Sequence, residues 1–230
     1  MYKGESLIRK EGQKMKIKTR KSFIISICTL VAFVLWTAAI LLIDVQRIGP
    51  QDSAVGLATV NRFFHELTDV HMTLYEITDM LSVVPLGVVL GFAVMGLVQW
   101  IKRGRLLAVD RSILILGGFY VVVMAAFLLF EVLEVNYRPV PIEGQLEASY
   151  PSSTTMLVLC VMPTAILQIK ERISRADLRL WLTLLTIAFT ALMVVLRFLS
   201  GVHWLTDIVG GGLLSAGLVS AYCAATEAVR

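Results

Sequence analysis

Six long apolar runs, separated by short charged connections, constrain this 230-residue chain more than any other feature. They fall at about 22–43, 77–100, 113–132, 153–169, 180–196 and 208–225. A helix needs ~20 apolar residues to cross ~30 Å of hydrocarbon, and only helices or closed barrels span a bilayer with every backbone group satisfied. With 57% hydrophobic residues and 17% charged ones, the composition excludes a soluble globular domain. The expectation is an all-α, polytopic membrane protein: one six-helix bundle over 22–225, preceded by a basic segment 1–21 and followed by a short tail 226–230.

The net charge of +4 could suggest nucleic acid, but the placement of the cations argues for membrane topology and against such a partner. All 21 Lys and Arg except Arg47, Arg62, Arg138 and Arg197 lie in the N-terminal segment, the second and fourth connections or the last residue. By the positive-inside rule both termini are cytoplasmic, and the first, third and fifth connections face outward from the cytoplasmic membrane. The first span is too long for the hydrophobic region of a signal peptide, so an uncleaved helix is expected. Cys28, Cys160 and Cys223 all fall within spans at unpaired spacing and read as packing residues.

Between the first two spans Val60, Phe63, Phe64, Leu67, Val70, Leu74 and Ile77 recur at threes and fours, which predicts an amphipathic helix on the outer surface. His65 and His71 lie on it; with His203 they are the three histidines of the chain, and their spacing fits no strong zinc pattern.

Chemistry is expected where ionisable residues persist at the membrane edge. Arg197, His203 and Asp207 form a polar island between the last two spans, and His203 and Asp207 share a face if the segment is helical. A carboxylate there would fix one imidazole nitrogen and free the other to attack or to move a proton. The alternative is an interfacial pair that marks the start of a helix. Upstream, Tyr150-Pro-Ser-Ser-Thr-Thr precedes the fourth span, a good helix cap that is also an arrangement able to bind phosphate. Arg138 sits on the same face, and two arginines, an amide-rich helix start and a backed histidine describe a phosphate site with a nucleophile.

These residues resemble the type 2 phosphatidic acid phosphatase and vanadium haloperoxidase superfamily, whose motifs run Lys-x6-Arg-Pro, Pro-Ser-Gly-His and Ser-Arg-x5-His-x3-Asp. Arg138-Pro139 matches the end of the first, Pro151-Ser152 opens the second, and Arg197, His203 and Asp207 match the third at full spacing. The resemblance implies an outward-facing membrane lipid phosphatase in which His203 accepts the phosphoryl group and Asp207 orients it. It implies that Arg138 and Arg197 hold the phosphate oxygens, with Ser152, Ser153 and Thr154 adding hydrogen bonds. No metal or other cofactor is implied; the partners are membrane lipids and a lipid phosphate or diphosphate.

Three departures bear on activity. The motif lysine falls on Glu131, the second-motif glycine on Ser153, and the histidine that would protonate the leaving group on Thr154; the third-motif serine is also replaced, by Leu196. A diphosphate can lose phosphate as an anion, so a surviving phosphatase is expected to favour lipid diphosphates, such as a polyprenyl carrier diphosphate, over phosphatidic acid. The alternative is a catalytically impaired relative that binds lipid phosphate or a membrane partner. A transporter fits less well, because the charges sit at one face and not at mid-membrane. Glu131 either faces the site, repelling anions or pairing with Arg138, or points away at its helix end.

Overall fold

The computed structural model describes residues 2–229, with side chains from Met15 onward; Lys3, Arg9, Lys10 and Lys14 of the basic segment and the terminal Arg230 lie outside the described side chains. Eight helices are described. They are α1 (Tyr2–Leu42), α2 (Ala58–Thr68), α3 (Met72–Leu81), α4 (Val83–Arg103), α5 (Arg111–Leu133), α6 (Ser153–Arg172), α7 (Ala176–Leu199) and α8 (Leu205–Ala228). Six segments are long and apolar enough to cross a membrane, with α3 and α4 together forming the second over Met72–Arg103. The fold is the six-span bundle that the hydropathy predicts. The backbone of α1 runs without a break across residue 21.

The spans are not equivalent. In α6 and α8 about half of each apolar window is buried (56% and 44%), against 6–22% in the other four, so these two form the heart of the bundle. α1 lies along α8, where Gly217 leaves no room for a Cβ beside Leu30 and its carbonyl accepts from Ser26 Oγ at 2.9 Å. Small residues at such crossings let backbones approach and gain packing that the apolar effect cannot supply within lipid.

The amphipathic segment between the first two spans is not one helix. It breaks at Asp69–His71: Asp69 takes a positive φ of 55°, and the His71 N–H donates to Ser200 O at 2.9 Å. Gly201, itself at φ +67°, abuts the Asp69 carbonyl so closely that any Cβ would collide with it. Tertiary contact with the loop before α8 therefore overrides the helical period. α2 retains an exposed apolar face, with Phe63 61% and Leu67 69% accessible, as suits a helix in contact with headgroups and acyl chains. Reciprocal bonds tie it to α8: Asn61 Nδ2 donates to Thr206 Oγ1 at 3.0 Å, and Thr206 N donates to Asn61 Oδ1 at 3.2 Å.

The 134–152 connection folds back on itself like a hairpin, with Arg138 N donating to Glu147 O and Ser149 N to Asn136 O. Tyr150 anchors its far end, stacked on Phe33, bonded through its hydroxyl to Thr37 and pressed against Gly210. Arg138 and Ser149 are thereby delivered to the same end of the bundle as the starts of α6 and α8 and the end of α7. At the opposite end Asp110 joins α4, α5 and α6 through Arg103 (2.8 Å), Gln99 (2.9 Å) and Arg172 (3.4 Å).

Candidate active site

His203 lies in the turn between α7 and α8, two residues ahead of Leu205, so it and Asp207 do not share a helical face. Asp207 is in the first turn of α8, and its Oδ2 accepts from the Trp204 N–H at 2.9 Å, a cap that holds the carboxylate under the imidazole. His203 Nδ1 is 3.6 Å from Asp207 Oδ2, beyond hydrogen-bond range. Ser149 spans the gap: its Oγ is 3.0 Å from His203 Nδ1 and its hydroxyl donates to Asp207 Oδ2. With Nδ1–H donating to Ser149 and Ser149 donating to Asp207 Oδ2, each proton in this relay has an acceptor and the lone pair of His203 Nε2 is left available, while Asp207 Oδ1 has no partner among the described residues.

Nε2 is buried and without a hydrogen-bond partner among the described residues. Burial, and then the charges of Arg197 and Arg138, hold the His203 pKa well below that of a free imidazole. The ring is therefore neutral near pH 7, as a nucleophile requires.

Both arginines are buried around Tyr75 of α3. Arg197 Cζ lies 4.6 Å from the Tyr75 ring centre and Arg138 Cζ lies 5.6 Å from it, both within cation–π range. Arg197 donates from Nη1 to Thr78 Oγ1 at 3.1 Å and leaves Nε unpartnered. Arg138 Nε is 3.0 Å from Glu147 Oε2, an ion pair too poorly aligned to count as a hydrogen bond, and Nη1 has no partner. Buried donors of two cations and a free imidazole nitrogen thus occupy one site, an arrangement that fits a phosphate-sized anion.

At the start of α6, Ser152 is the cap: its Oγ accepts from Thr155 N at 3.5 Å and from Thr155 Oγ1 at 3.0 Å. Its own N–H donates to Asp207 O at 3.1 Å, so that N–H is committed to joining α6 to α8. Ser153 and Thr154 occupy the first positions of α6, where a helix leaves its N–H groups without internal acceptors. Glu131 lines a cavity of about 170 Å³ with Arg138, Glu147, Ser149 and Ser153, which is the site-facing alternative of the two left open by the sequence.

Of the other histidines, His65 packs against Trp204 with ring centres 5.3 Å apart and the rings tilted by 58°, its Nδ1 unpartnered, while His71 is exposed ahead of α3. Among the described residues no three His, Cys, Asp or Glu side chains group closely enough to hold a metal ion.

Tyr75, Thr78 and Ser149 carry no motif, and sequence reasoning passed over them. Each reaches the site across more than 50 residues of chain, so no local spacing marks it. If the Tyr75 ring holds the two guanidinium groups in place, Tyr75→Leu should weaken binding of inorganic phosphate by roughly ten-fold, while Tyr75→Phe should stay within about two-fold. Calorimetric titration of the detergent-solubilised protein checks this; equal losses in both variants would assign the effect to the hydroxyl.

The comparisons with known proteins bear on the family and the fold. The PAP2 superfamily model matches residues 119–229, a range that holds the third motif and the partial first and second ones. No curated protein matches the chain. Among solved structures, the transmembrane PAP2-type phosphatidylglycerolphosphate phosphatase from Bacillus subtilis shares the fold, with a TM-score of 0.56 and 18% identity over 88% of this chain and 94% of that one. The motifs and the family match together place residues 119–229 in the PAP2 superfamily.

Proposed function

We propose that the chain is a membrane phosphatase that removes phosphate from lipid phosphates or diphosphates at the outer face, through a phosphohistidine formed on His203. The observation that carries this reading is the set of buried, unpartnered donors on Arg138 and Arg197 around the free Nε2 of His203. Such donors cost free energy in an empty site and are satisfied by the equatorial oxygens of a phosphoryl group. The Bacillus protein of similar fold is named as a phosphatase of a lipid phosphate, which supports the substrate class. The outward orientation rests on the distribution of Lys and Arg along the chain.

In this mechanism the Nε2 lone pair attacks phosphorus as the bond to the leaving oxygen breaks. Positive charge that develops on the imidazole stays on the ring and is stabilised by Asp207 through the Ser149 hydroxyl, which accepts from Nδ1–H and donates to the carboxylate. Arg138 and Arg197 hold the phosphoryl oxygens throughout. Water then attacks the phosphohistidine, releasing inorganic phosphate and returning His203 to its neutral form.

Thr154 sets the constraint on the leaving group. A threonine hydroxyl cannot protonate a departing alkoxide near pH 7, and loss of a general acid costs ~10²–10⁴ in rate. A phosphate that leaves from a diphosphate has a pKa of about 6 and departs unaided. A lipid diphosphate such as a polyprenyl carrier diphosphate is therefore favoured over phosphatidic acid. The second reading, a silent relative that binds lipid phosphate, draws on the same Thr154 and on Glu131.

The test is phosphate release by the purified protein in detergent. Release from a polyprenyl diphosphate should exceed release from phosphatidic acid by at least about ten-fold and fall to background in His203→Ala. Binding of both lipids without release would favour the silent relative. The pH profile gives a separate check. Because His203 is held below an ordinary imidazole, the free enzyme keeps its nucleophile neutral as pH falls through about 6.5, and the acid limb of kcat/KM should lie below that value. An acid limb at or above 6.5 would contradict a buried, arginine-flanked nucleophile.

A further inference from the structure

Two buried atoms beside the nucleophile have opposite needs and no hydrogen-bond partner among the described residues. Asp207 Oδ1 is an acceptor without a donor, and Asn136 Nδ2 is a donor without an acceptor. Asp207 is fully buried and Asn136 is only 2% exposed. The Asn136 amide lies close enough to the Asp207 carboxylate to interact with it. Each such atom is costly when left alone, and one bond between the two answers both.

The 134–152 hairpin explains why they meet. Asn136 O accepts from Ser149 N at 2.8 Å, so Asn136 and Ser149 face one another across its two arms. Ser149 sends its hydroxyl to Asp207 Oδ2, which also accepts from Trp204 N at 2.9 Å. Both anchors of the carboxylate therefore fall on one oxygen, and the group can pivot about it. The next residues of the Asn136 arm are committed to the same site: Tyr137 O accepts from Trp204 Nε1 at 2.8 Å, and Arg138 carries donors for the phosphate. A carboxylate attracts the N–H end of a facing amide and repels its oxygen, which fixes the orientation of Asn136.

We propose that Asn136 is a positioning residue for the reaction: its Nδ2–H donates to Asp207 Oδ1 and fixes the plane of the carboxylate that holds Ser149 and, through it, His203 Nδ1. Asn136 acts through Asp207 and touches neither the phosphate nor the attacking nitrogen. Without it the carboxylate turns, the Ser149 hydroxyl loses its single acceptor, and the His203 tautomer with Nδ1–H and a bare Nε2 loses its support. The inference rests on the phosphohistidine reading and adds to it a residue from the unspecified positions of the first motif.

Two readouts on the full chain in detergent separate this role from a merely structural one. The first needs no turnover. In protein labelled with ¹⁵N-histidine, His203 should show the nitrogen shifts of one neutral tautomer protonated at Nδ1, assigned by their loss in His203→Ala. Asn136→Ala should convert them to a mixture of both tautomers. The second is rapid-quench formation of the phosphoenzyme from a polyprenyl diphosphate. Asn136→Ala should slow it roughly 10–100-fold while its affinity for inorganic phosphate stays within about two-fold of the wild type. Asn136→Asp, isosteric but without the donor, should lose at least as much. In an Asp207→Ala background, adding Asn136→Ala should cost less than about two-fold, because the residue acts through the carboxylate.

A single Nδ1–H tautomer and an undiminished rate in Asn136→Ala would overturn the positioning role. So would a full additional loss in the Asp207→Ala background. A loss of rate matched by an equal loss of phosphate affinity would overturn it too, by assigning Asn136 to the shape of the hairpin that carries Arg138. Absence of phosphoenzyme in the wild type, with inorganic phosphate still bound, would remove the phosphohistidine reading, and the tautomer measurement would then decide alone whether Asn136 holds Asp207.

Discussion

The structure is organised by the cost of keeping two guanidinium groups and an imidazole out of water at one end of a membrane bundle. Arg197 is 1% exposed, and Arg138 and His203 are nearly as deeply buried. Charges at such depth persist only when paired, stacked or functional. The Tyr75 ring, Thr78 and Glu147 answer part of the demand. The break at Asp69–His71 brings α3 into position to supply the ring, and the 134–152 hairpin brings Arg138 and Ser149. The helix starts of α6 and α8 are linked by a bond from Ser152 to Asp207. Arg138 Nη1, Arg197 Nε and His203 Nε2 remain without a hydrogen-bond partner among the described residues, and the proposed function assigns them to the phosphate.

Much of this is legible in the chain itself, for a physical reason. Membrane spans are read from hydropathy because the bilayer allows so few alternatives. The six spans accordingly appear where the apolar runs place them, all of them longer than the apolar run by a few residues at one or both ends. Arg138, Arg197, His203 and Asp207 are visible because ionisable residues at a membrane edge stand out against an apolar background. The site's interior is less legible. The four-residue spacing of His203 and Asp207 suggests direct contact on a helix, yet His203 precedes α8 and Ser149 carries the contact instead. The Ser152 N–H, expected at the phosphate, is consumed by Asp207 O. Tyr75 reads as one more amphipathic position until the fold places two arginines against it. Side-chain partners more than 50 residues away leave no trace in local period.

Thr154 and Glu131 are the two positions at which the proposed reading of the site departs from the motifs it resembles. In the proposed mechanism Thr154 supplies no acid to help an alcohol leave, so the burden of departure moves to the substrate. Glu131 replaces a contact to phosphate with a negative charge that lines the cavity beside Arg138. Both changes leave His203, its Ser149–Asp207 relay and the arginine pair in place. A chain that had simply lost its function would have little reason to keep uncompensated buried donors, since each costs about 1–3 kcal/mol unless a partner arrives.

The central claim is that His203 carries the phosphoryl group. A ³²P-labelled lipid phosphate or diphosphate, mixed with the purified protein and quenched rapidly in base, tests it directly. The account predicts a labelled protein whose label survives base, is lost in acid as a phosphoramidate should be, and is absent from His203→Ala. Rapid phosphate release with no such label, or a label that persists in His203→Ala, would contradict it.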